Sequence, residues 1–108
     1  MNVSFSPVAL RNIDGIFDYI ARDNPAAARK VRDRIRAIVT YLGEYPDSGR
    51  PTGFHGIRVC PVYPYPYLVF FQFLPEKKEV RILRVRHAAR QPLFLNDPVA
   101  RFRGENFP

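Results

Sequence analysis

Two runs of β-branched and aromatic residues, Tyr67 to Phe73 and Val80 to Val85, flank Pro75-Glu76-Lys77-Lys78-Glu79, a segment too hydrophilic to bury. Runs of this kind, joined by a short polar link, predict a β-hairpin. The stretch from Pro66 to Arg90 is therefore the frame around which the rest must pack. Strict alternation puts Val80 and Ile82 on one face of the second strand and Leu83 and Val85 on the other, the pattern of a strand covered on both sides or central in its sheet. The end of that strand is loaded with cations: Arg81, Arg84, Arg86, His87 and Arg90. By the same alternation the arginines fall on both faces, so at least one is expected on a covered side or its rim, paired rather than free.

The N-terminal half reads as one strand and two helices. Val3 and Phe5 share a face of a short strand over Asn2 to Phe5. Ser6-Pro7 then starts a helix, with serine capping free amides and proline tolerated in the first turn. Leu10, Ile13, Ile16, Phe17 and Ile20 give that helix an apolar stripe, despite Gly15. Asp23-Asn24-Pro25 stops it and caps a second helix, so the two fold back as an antiparallel hairpin. The second helix buries Ala28, Val31, Ile35, Ile38 and Leu42, and Gly43 with Pro46 ends it. Its charged residues from Arg29 to Arg36 read as a solvated face in preference to a nucleic-acid footprint.

Glu44 to Gly56 has loop composition, and its Gly49-Arg50-Pro51 lacks the second glycine and the lysine of a phosphate loop. Ile57 to Val62 is strand-like, and Tyr63-Pro64-Tyr65-Pro66 turns into the central hairpin. Leu93-Phe94-Leu95 is expected to form one helical turn packed on the body. A single domain over residues 1–97 and a loosely held tail over 98–108 follow. The resulting order, β-α-α-β-β-β, predicts a two-layer α+β domain, with the N-terminal strand and helical hairpin packed on a small antiparallel sheet.

The 108 residues suffice for one core, and 46% apolar content is that of a globular chain. The single cysteine, Cys60, excludes an internal disulfide, and two histidines, His55 and His87, offer no metal-ligand spacing. No cofactor or metal is implied. A reducing cytoplasm is the expected compartment, since no apolar run reaches bilayer length and MNVSFSP lacks the plan of a signal peptide. The formal charge of +7, carried mostly by arginine, points to an acidic partner, either nucleic acid or an acidic protein segment; a merely soluble basic surface is the bland alternative.

In this order of elements the chain resembles toxins of the ParE/RelE superfamily from bacterial type II toxin–antitoxin modules, and within it the ParE branch. The resemblance rests on FSPVALRNIDGIFDYIARDNPAAARKV, YPDSGRP, IRVCPVYPYPYLVFF and VRILRVRHAAR, which together extend over residues 3 to 90. His87 and Arg90 match the HxxR ending of the ParE branch. The resemblance implies a toxin that interferes with DNA gyrase by binding, without catalysis; the RelE-like branch instead cleaves messenger RNA on the ribosome. Both are neutralised by a cognate antitoxin whose C-terminal segment wraps the toxin in a hetero-oligomer, and whose other half binds the operator.

A nuclease of this fold needs a base, an acid and cations for the developing phosphorane charge. Arg58, Arg81 and His87 are the candidates, with Arg84 as a further cation. The tyrosine that the RelE-like branch commonly places at the end of the sheet is missing, since none follows Tyr67. The preferred reading is therefore target binding through Arg58, Arg81, Arg84, Arg86, His87 and Arg90. His87 and Arg90 read equally well as structural residues. The aromatic run from Tyr63 to Phe73 is mainly core, and its exposed part, Tyr63 and Tyr65 with Leu10, Ile13 and Phe17, is expected to receive an acidic, amphipathic antitoxin segment.

Overall fold

Both helices begin where a polar side chain satisfies free amides. The Ser6 hydroxyl accepts from the Ala9 N–H (3.0 Å) and the Asn24 carboxamide from the Ala27 N–H (3.0 Å), with proline next in each case. In the computed structural model, which describes residues 1–89, the elements are β1 (Asn2–Phe5), α1 (Pro7–Ala21), α2 (Pro25–Glu44), β2 (Arg50–Phe54), β3 (Ile57–Pro61), β4 (Tyr67–Leu74) and β5 (Glu79–His87). Arg90, the Leu93-Phe94-Leu95 turn and the tail lie outside the described residues.

The strands form a single sheet in the order β1-β5-β4-β3-β2. Strands β2 to β5 are antiparallel, and β1 joins β5 in parallel, Val3 opposite Val80 and Phe5 opposite Ile82. The hairpin β4–β5 is thus central, as its apolar runs require. The helical hairpin covers one face: Ala9, Val31, Ile35, Val39 and Leu42 pack with Val69, Phe71, Val80, Ile82 and Val85 in the main core. The expected two-layer α+β fold is the one observed. α2 continues through Gly43 to Glu44, and a Cβ on Gly43 would stand 2.8 Å from Val3 Cγ2, so this glycine lets β1 approach the helix.

Two sequence expectations are corrected. The segment from Glu44 to Gly56 is not all loop, because β2 lies inside it, entered at Gly49 (φ +79°) and broken by an irregular register between Pro51 and Phe54. A strand of five residues containing both proline and glycine shows no sequence signature of its own. The second correction concerns β5. Phe71 faces Ile82, but the preceding Phe70 faces Arg84, so Leu83 is an extra residue in a β-bulge. Beyond the bulge the alternation is reversed. Val85 joins Val80 and Ile82 in the main core, while Leu83 packs with Ile57, Val59 and Phe70 on the sheet's other face.

Candidate functional site

The bulge decides where the cations go. Residues opposite one another on antiparallel strands project to the same side, and Arg81, Arg84 and Arg86 stand opposite Gln72, Phe70 and Leu68, alternate residues of β4. All three arginines therefore lie on the face away from the helices. The expectation that one of them would turn towards the helical layer fails, because it assumed unbroken alternation. Arg81 is held by Glu79, its Nε 3.0 Å from the carboxylate, which also accepts the Ser4 hydroxyl from β1. Those two hydrogen bonds, Ser4 first and Arg81 second, hold the Glu79 carboxyl below the usual carboxylate range. Arg84 is half-buried, and Arg86 is only 2% exposed.

The remaining candidates do not join this face. Arg58 stands opposite Phe71 and so lies on the helix side of the sheet, beyond the helices. There its guanidinium donates to the carbonyls of Asp47 (2.6 Å), Ser48 (3.0 Å) and Gly49 (3.2 Å), tying down the link from α2 to β2. His87 stands opposite Tyr67, also on the helix side, the two rings edge to face at 5.3 Å. Its Nδ1 accepts the Ala89 N–H (3.0 Å), so the neutral ring carries its proton on Nε2. With Arg11, Asn12, Tyr19 and Tyr67 it lines a pocket of about 340 Å³.

Arg50 was not among the sequence candidates. It faces Val59, which faces Phe70, which faces Arg84, so Arg50 and Arg84 end one row across four strands, about 14 Å apart at the usual strand spacing. Arg50 is exposed. Only recognition of β2 as a strand would have shown this, and β2 left no periodic signal.

The helical layer carries two grooves, one on each side of α2. Between α1 and α2, Val3, Leu10, Ile13, Ile35 and Val39 line a groove of about 450 Å³, with Arg32 and Arg36 along one wall and Asp14 on the α1 wall. Leu10 is 51% exposed there. Phe17 is capped by the Arg32 guanidinium, 4.9 Å from its ring centre. On the other flank, Tyr63, 71% exposed, and Tyr65 form an open groove with Lys30, Arg34 and Ala37, and Arg34 Nε donates to the Tyr63 carbonyl at 2.5 Å. The five residues expected to meet an antitoxin thus distribute over both flanks of one cationic helix. Among the described residues no helix is long and apolar enough to cross a membrane.

This architecture is that of the small α+β toxins of the RelE/ParE fold. Residues 3–92 match the profile of the ParE toxin of the type II toxin–antitoxin system parDE, and the chain belongs to that family. It is 40% identical over 83 residues to the putative toxin Y4kP of Sinorhizobium fredii, covering 77% of this chain and 83% of the relative. It is 35% identical over 82 residues to toxin RelE2 of Caulobacter vibrioides, covering 76% and 89%. Among solved structures it is similar to a chain of the chromosomal ParDE system of P. aeruginosa, with a TM-score of 0.70 and 26% identity over 81% of this chain and 95% of the other. The isolated E. coli RelE toxin shares the fold at a TM-score of 0.62 and 18% identity, over 85% and 88% of the two chains.

Proposed function

We propose that this toxin acts by binding DNA gyrase and that it cuts no RNA. The observation that carries this reading is the dispersal of the residues a nuclease would need. Arg81 lies on one face of the sheet and Arg58 and His87 on the other. The Arg58 guanidinium is committed to three backbone carbonyls, and His87 Nδ1 to the turn that follows it. General acid–base chemistry on a 2′-hydroxyl needs its proton acceptor and its charge-stabilising donors within hydrogen-bond reach of one phosphate. Donors on opposite faces do not meet that requirement. Binding does not require them to converge, and Arg50, Arg81 and Arg84 lie on one side of the sheet, Arg50 exposed and Arg81 paired with Glu79, a cationic face of the chemistry that suits phosphate or carboxylate.

The cognate antitoxin would seat an amphipathic, acidic C-terminal segment on the other side, in the groove of Leu10 and Ile13, with its acidic flank towards Arg32 and Arg36. Tyr63 and Tyr65 would meet the continuation of that segment across α2. The decisive experiment sets purified toxin against gyrase supercoiling and, in parallel, against ribosomes translating a defined message. Inhibition of supercoiling with intact message is the expected result. Cleaved message with unaltered supercoiling would establish the endoribonuclease reading in its place.

A further inference from the structure

We propose that Asn12, in the helical layer, is a positioning residue for the arginine face on the far side of the sheet. The proposal deepens the target-binding reading and rests on it.

β5 has neighbours on both sides only as far as Ile82. β1 accompanies it from Glu79 to Ile82 and then ends. Beyond that point the groups on β5's outer edge would face no strand, and this is where the bulge lies. α1 and the serine that caps it supply the missing partners. The Ser6 N–H donates to the Ile82 carbonyl (2.9 Å), the Ser6 hydroxyl to the Leu83 carbonyl (2.8 Å), and the Val85 N–H donates to Asn12 Oδ1 (3.0 Å). The Ser6 side chain therefore holds the extra residue itself, and the Asn12 side chain holds the strand two residues beyond it. Ser6 has a second duty as the cap of α1. Asn12 Oδ1 holds β5 alone, so Asn12 is the residue through which the clamp can be tested.

The bulge is what gathers the arginines. Without the extra residue, Arg84 and Arg86 would follow Ile82 into the helix-facing core and Val85 would turn outward. With it, Arg84 takes its place opposite Phe70, in one row with Arg50, and on the same side as Arg81. A buried amide left without an acceptor is costly, so loss of the Asn12 carbonyl oxygen loosens the strand at the point where the alternation reverses. Arg84 is the adjacent residue.

The test compares wild type, Asn12→Ala, Asn12→Asp and Arg84→Ala in three measurements: amide exchange at Val85 by NMR, binding of a short labelled DNA duplex, and inhibition of gyrase supercoiling. Asn12→Ala is expected to speed Val85 exchange at least tenfold and to weaken duplex binding at least fivefold. Asn12→Asp keeps an oxygen acceptor and should restore both towards wild type, even though its negative charge opposes DNA binding. Unchanged Val85 exchange in Asn12→Ala overturns the proposal, as does faster exchange with duplex binding intact while Arg84→Ala binds weakly. If Arg84→Ala binds duplex and inhibits gyrase like wild type, the target-binding reading fails instead; faster Val85 exchange with a displaced Arg84 Nε–H resonance in Asn12→Ala would still establish the positioning.

Discussion

The guanidinium of Arg58 donates to the carbonyls of three successive residues, Asp47, Ser48 and Gly49. An arginine in a strand of a strongly basic chain invites a functional reading, and nothing in the sequence distinguishes a side chain turned towards its own loop from one turned outward. The geometry does. Because the planar fork reaches three acceptors at once, an ammonium cannot replace it. Arg58→Ala is expected to lower unfolding stability by about 1–3 kcal/mol in urea titrations, and Arg58→Lys to recover only part of that. Gyrase inhibition by either variant should follow the folded fraction. A loss of inhibition in fully folded Arg58→Ala would return this residue to the target surface.

Among the elements, those with a period were legible. The two helices, their caps and the β4–β5 hairpin follow from apolar spacing and from Ser6, Asn24 and their prolines. β2 was not legible, since Pro51 and Gly53 belong to turns more often than to strands. Nor was the bulge, which only pairing reveals, although the three-residue step from Ile82 to Val85 with arginines on both sides is its trace. The same reversal hid the true composition of the arginine face. At the seam of β1 and β5, Glu79 joins the strands through Ser4 and Arg81. Its folded pKa lies below the ordinary 4.5, so its charge stabilises the fold above that value, and the contribution is lost as pH falls through the lowered one. Melting temperatures of wild type and Glu79→Gln, followed from neutrality to about pH 3, should therefore differ by a constant amount at first and converge only on acidification below 4.5. A gap that persists unchanged through the acid range would show that the seam does not depend on this charge.

For the whole molecule, the helical grooves and the arginine face point in opposite directions, with the sheet between them. Neutralisation and target contact should then separate by mutation. Leu10→Asp removes half-exposed apolar surface from the groove and sets a carboxylate beside Asp14. It is expected to weaken antitoxin binding at least tenfold, about 1.4 kcal/mol, with little change in melting temperature or gyrase inhibition. Arg84→Ala should do the reverse. Isothermal titration with antitoxin and a supercoiling assay on both variants check the pair, and equal losses in both assays would mean that the two partners share one surface.

The strand order has one more consequence. The most aromatic segment, Tyr67–Leu74, runs through the interior of the sheet, while the outermost strands have four and five residues and one of them is interrupted by Pro51 and Gly53. Polymerisation through stacked backbones needs a long, flat, open rim. Here both rims are short, so the segment best suited to seed a fibril has no lateral contact to offer a second molecule while the fold is intact.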